Sequence, residues 1–86
     1  MKLVLCTICG DVVRLVEEET RICQCGACGG KYIDPLNAWC TGHNAIPLGI
    51  ANSSLQEAVF NQPDSGEGET FEAFVIPKNC KTFKKI

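Results

Sequence analysis

Cys6-Thr7-Ile8-Cys9-Gly10 and Cys25-Gly26-Ala27-Cys28-Gly29 share one local form, two thiols separated by two residues with a glycine after the second; the fifteen residues Gly10 to Gln24 lie between the pairs. Two such units at this separation match the spacing of a structural zinc site. A two-residue spacer lets a tight turn aim both thiolates at one ion. The following glycine relieves the backbone where the turn tightens and its amides approach sulfur. Each pair supplies half a tetrahedron, so Cys6, Cys9, Cys25 and Cys28 are the expected ligands. Four thiolates leave no open position for water, which makes such a site structural rather than hydrolytic. The second pair has an alternative register, because Cys23-Gln24-Cys25 places a third thiol two residues before Cys25, and Cys23 can replace Cys28. Iron would accept the same four thiolates, so ligand count alone leaves zinc and iron open.

Working outward, the chain has 86 residues and seven cysteines, an odd number that a closed disulfide framework would leave with one thiol unpaired. No secretory h-region precedes Cys6 and no apolar run approaches about 18 residues, so a reduced, cytoplasmic location is expected. A single domain over residues 1–86 follows from the length. A core this small supplies little stability unaided, and a metal staple fits that need. Eight basic against ten acidic residues give a formal net charge of −2, without the basic footprint of a duplex-DNA protein.

The fold class expected is mostly β with one short helix, a small α+β architecture built on zinc-ribbon-like hairpins. Lys2 to Leu5 and Asp11 to Val16 read as the arms of a hairpin carrying the first cysteine turn, and Arg21 to Cys23 and Lys31 to Ile33 bracket the second. These knuckles occupy residues 1–36, and residues 37–86 pack on them as strands plus a helix. Strands are expected at Ala38 to Thr41 and Ala45 to Ile50, with Pro47 placing the latter at a sheet edge. The helix runs from Ser54 to Phe60, Ser54 and Glu57 standing at capping-box spacing and Leu55, Ala58 and Val59 facing inward. Pro63 to Gly68 is an acidic loop, Thr70 to Ile76 a last strand, and Lys78, Lys81, Lys84 and Lys85 a solvated cationic tail.

Three other features bear on chemistry. Cys40 and His43, the only imidazole, stand three residues apart, a spacing usable by a cysteine nucleophile or a metal pair; a strand followed by a turn instead buries Cys40 and leaves His43 at a loop tip. Gly26 to Lys31 lacks the spacer and ending of a phosphate loop. Asn52, Ser53 and Ser54 enter the helix through small polar residues whose free amides suit an anion, with Trp39 or Tyr32 offering a face for a base.

The run Cys6/Cys9, Cys23-Gln24-Cys25-Gly26, Gly29-Gly30-Lys31-Tyr32-Ile33-Asp34 and Leu48-Gly49-Ile50-Ala51-Asn52-Ser53 resembles a group of small uncharacterised bacterial and phage proteins with zinc-ribbon-like cysteine pairs. The resemblance covers about half the chain and brings no activity with it. Some members carry serine at the position of Cys28, which keeps Cys23 open as the alternative ligand. Phage proteins of this size that oppose host defences often bind a nucleotide signal or a host protein, so the resemblance implies a binding role. The reading is therefore a non-enzymatic, zinc-stabilised module recognising a protein or a small anionic ligand, without membrane association. Two alternatives stand beside it: a zinc-ribbon adaptor for nucleic acid or transcription using Arg21, Lys31 and the lysine tail, and a cysteine-based enzyme or redox protein.

Overall fold

Along Lys2–Cys6, Val4 and Cys6 are fully buried while Leu3 and Leu5 stay partly exposed, the two-residue alternation of a strand covered on one face. This strand, β1, begins a computed structural model that describes all residues, 1–86. It turns through the first cysteine pair into β2 (Val12–Arg14), with Leu5 opposite Val12 and Leu3 opposite Arg14. The second cysteine segment joins β3 (Arg21–Ile22) to β4 (Gly29–Tyr32), also antiparallel. Then follow β5 (Ala38–Thr41), β6 (Ala45–Ile50), α1 (Asn52–Phe60), β7 (Ala73–Val75) and β8 (Phe83–Lys85).

The strands form two four-stranded sheets, ordered β2-β1-β6-β7 and β3-β4-β5-β8. The first is antiparallel throughout; in the second, β8 runs parallel to β5. Each sheet draws strands from both 1–36 and 37–86. The shared core gathers Val4, Leu15, Ala38, Ala45, Ile76 and Phe83 around four thiols, Cys6, Cys23, Cys28 and Cys40. Only 14 of 86 residues are buried, too few for an apolar core alone to hold two sheets together. Tyr32 ties the sheets from outside, its hydroxyl accepting the Lys2 amide at 2.9 Å.

Four expectations are corrected. Pro47 lies in β6, an interior strand between β1 and β7. Its carbonyl accepts the Ile76 amide, so its missing donor also faces the β7 side, just where that short ladder ends at Val75, and β1 loses nothing. The helix starts two residues early and lacks the capping box: Ala51 is the N-cap, without a side-chain bond. Ser54 instead accepts the Glu72 amide at 2.7 Å, a long-range bond that fastens the approach to β7. On the helix only Ala58 is buried, while Val59 is 64 % exposed and lines, with Leu55, an open depression between the helix and the 62–69 loop. The cationic tail is not free: Phe83 is buried and draws Lys84 and Lys85 into β8.

Candidate metal centre

Both cysteine turns are built by backbone geometry that glycine completes. In the first, the Gly10 amide donates to the Cys6 carbonyl at 2.8 Å and the Cys6 amide to the Asp11 carbonyl at 2.9 Å, with Gly10 at φ 75°. In the second, the Gly26 amide donates to the Cys23 carbonyl at 3.0 Å, with Gly26 at φ 83°. Left-handed φ at these two positions costs an L side chain roughly 1–2 kcal/mol and glycine little. The matching halves are therefore Cys6-x-x-Cys9-Gly10 and Cys23-x-Cys25-Gly26.

The sulfurs of Cys6, Cys9, Cys23 and Cys25 lie within 4.8 Å of one another. Cys25 Sγ stands 3.7 Å from Cys6 Sγ and 3.6 Å from Cys23 Sγ. Sulfurs at about 2.3 Å from a central ion at tetrahedral corners are separated by about 3.8 Å, so the donor set fits a four-coordinate ion. No cysteine is in a disulfide. Four cysteines placed in this way can hold a metal ion.

Cys28 was expected in this set; its thiol lies beside the group, hydrogen-bonded to the Cys6 and Cys23 sulfurs, but is not among the four that lie within 4.8 Å of one another. Its amide donates to Cys23 Sγ at 3.3 Å and its carbonyl accepts the Cys23 amide at 2.9 Å, so it closes the turn from behind. The expectation took Gly26 and Gly29 together as turn glycines, but Gly29 is the first residue of β4 and has no positive φ. A Cβ there would fall 2.7 Å from the Arg21 carbonyl oxygen. Gly29 thus serves the close approach of β3, and Gly26 serves the turn.

The thiols are electrically unequal. Amides of Cys9 and Ile8 hydrogen-bond the Cys6 sulfur and hold its pKa down at about 6, against burial. The Ala27 amide pulls Cys25 down as well, but donation to Cys23, burial and the neighbouring Cys6 and Cys9 sulfurs outweigh it, leaving Cys25 pushed up to about 12. Burial and the Cys6 and Cys23 sulfurs raise Cys28 to about 11. Cys6 and Cys23 are both held below the ordinary thiol value while Cys25 and Cys28 lie above it, an uneven sharing of charge among hydrogen-bonded thiols that suits a site for a cation.

No family model, curated protein or solved structure matches this chain.

The remaining candidate residues are dispersed. Asn52 Oδ1 accepts the Met1 ammonium at 2.8 Å, Ser53 is exposed on α1, Ser54 holds the Glu72 amide, and Trp39 lies half-buried in the other sheet. Cys40 is fully buried, which raises its pKa, whereas His43 is exposed. One cleft was invisible in the sequence: Lys2, Arg14, Tyr32 and Asn52 line a depression of about 400 Å³ that carries no carboxylate. Its parts come from four separate segments, brought together by the β1–β2 pairing, by the Lys2 amide donating to the Tyr32 hydroxyl across the two sheets, and by Asn52 accepting the Met1 ammonium. No helix is long and apolar enough to cross a membrane.

Proposed function

We propose that the chain is a zinc-stapled, non-enzymatic binding module. The observation that carries this reading is the four-sulfur group formed by two glycine-closed turns, with distances suited to a tetrahedral ion. All-thiolate coordination favours zinc, and a closed sphere favours a structural role. Cys6, Cys9, Cys23 and Cys25 would hold the ion, whose charge would join β1–β2 to β3–β4 where the apolar core is sparse. Native mass spectrometry of protein purified without added metal tests it: one zinc per chain is expected, and iron or no metal counts against it.

The recognition surface belongs to a small anion. The cleft of Lys2, Arg14, Tyr32 and Asn52 offers two cationic side chains and no carboxylate, which supports an anionic, nucleotide-like ligand. Thermal-shift screening of inorganic phosphate and nucleotides tests this, with Arg14→Ala as the control that should abolish any shift.

A second reading has its own observation. The register of β4, β5 and β8 sets Lys31 and Lys84 on either side of Trp39 on one sheet face. A base could stack on the indole while the lysines meet phosphates, which suits a single strand. Trp39 is the only tryptophan, so quenching of its fluorescence by a single-stranded oligonucleotide reports on this face alone.

A further inference from the structure

The two sheets leave four edge strands, and three are guarded. Arg14 lies in β2, Arg21 in β3, and Lys84 and Lys85 in β8; such charges on an edge discourage pairing with another chain. The fourth edge, β7, is Ala73-Phe74-Val75, with no charge, and all three residues are exposed. Glu72 offers its carbonyl to Ala51, and Ile76 its amide to Pro47, both on the β6 side. Because polar groups alternate sides along a strand, Phe74 also faces β6, and the amides and carbonyls of Ala73 and Val75 point away from the sheet.

We propose that the chain forms a two-fold dimer in which β7 pairs antiparallel with β7 of a second copy, centred on Phe74. In that register Ala73 meets the other copy's Val75, each donating to and accepting from the other, and the outward groups of both residues are satisfied on both copies. Charge selects this occupant. The segment before β7 carries Asp64, Glu67, Glu69 and Glu72 and no base, while the segment after it carries Lys78 and Lys81 and no acid. Antiparallel pairing lays the acidic end of one copy beside the basic end of the other, and parallel pairing would set like charges together. The β2-β1-β6-β7 sheet then continues across the two-fold axis. Its outer face, where the register aligns Leu3, Leu5, Val12, Ile46, Leu48 and Val75, becomes one aliphatic surface.

Sedimentation velocity on the metal-loaded 86-residue chain from about 1 µM to about 1 mM tests the proposal. A monomer–dimer equilibrium is expected, and added salt should weaken it. Val75→Pro removes an outward amide without touching a bond to β6, and should raise the dissociation constant by about thirtyfold, two backbone hydrogen bonds being lost per dimer. Amide hydrogen exchange on the unaltered chain gives a readout that needs no variant. The Ala73 and Val75 amides should be protected at high protein concentration and exchange freely when dilute. A monomer at every concentration overturns the proposal. So does a dimer that salt strengthens while these two amides exchange independently of concentration, which would place the contact on the aliphatic face instead.

Discussion

The Cys28 amide donates to Cys23 Sγ at 3.3 Å, so Cys28 supports a sulfur of the four-cysteine group through its backbone while its own thiol lies beside the group, against the Cys6 and Cys23 sulfurs. An amide directed at a metal-bound thiolate disperses its charge and fixes its orientation, the kind of outer support on which metal sites depend. The backbone of residue 28 does this work whatever its side chain.

Exchange of single cysteines should therefore divide them into two groups. Cys23→Ser, like Cys6→Ser, is expected to lose the ion, whereas Cys28→Ser keeps one ion per chain and costs stability of about 1–3 kcal/mol, because a buried thiol gives way to a hydroxyl. Cys40→Ser and Cys80→Ser should also retain the ion. Native mass spectrometry with a thermal melt of each variant reads both quantities, and loss of metal from Cys28→Ser would return that residue to the ligand set.

Removing the ion should unfold the chain. The binding energy of a structural site is folding energy, and the core beside it is small. Circular dichroism during titration with a strong chelator is expected to lose its β signal in step with the metal. Retention of that signal in metal-free protein would mean that the apolar core suffices.

Affinity for the ion should rise with pH. Near neutrality Cys6, held at about 6, is already a thiolate, while Cys25, at about 12, still carries its proton, which binding must expel. Competition titrations from about pH 6 to about pH 8 should show tighter binding at the upper end.

Two glycine substitutions should differ in size. At Gly26 an added Cβ meets nothing within 4 Å and only the positive φ opposes it, so Gly26→Ala should cost roughly 1–2 kcal/mol. At Gly29 the Cβ would lie 2.7 Å from a backbone oxygen, and β3 must move away. Gly29→Ala should therefore cost more and open the Arg21 to Gly30 pairing, a difference that urea unfolding of the two variants resolves.

What the sequence disclosed was whatever rests on short-range pattern. Ala38 to Thr41 and Ala45 to Ile50 end where turn residues end them, and the Cys6 turn has the form its spacing implies. The second pair kept two registers because Gly26 and Gly29 look alike as letters; one is required by a left-handed φ within its own turn and the other by the Arg21 carbonyl beside it, and the latter cause is not local in sequence. Pro47 misled for a similar reason, since whether a missing donor matters depends on how far β7 extends beside it. The β8 strand carries two lysines and one buried side chain, Phe83, a pattern too weak to separate a strand from a solvated end. Nor could Lys2, Arg14, Tyr32 and Asn52 be grouped before the two sheets and the helix start were packed together.

The sheets are interleaved in the chain: β1 and β2 belong to one, β3 to β5 to the other, β6 and β7 to the first again, and β8 to the second. A polypeptide threaded in this order has no place to be cut that yields an autonomous piece. During synthesis the first hairpin emerges with an open flank until residues 45–50 arrive, and the other sheet waits for residues 83–85 to leave the ribosome. Only the cysteine turns, complete by Gly26, are available earlier, so metal capture by the nascent chain can precede both sheets and act as the template on which they close.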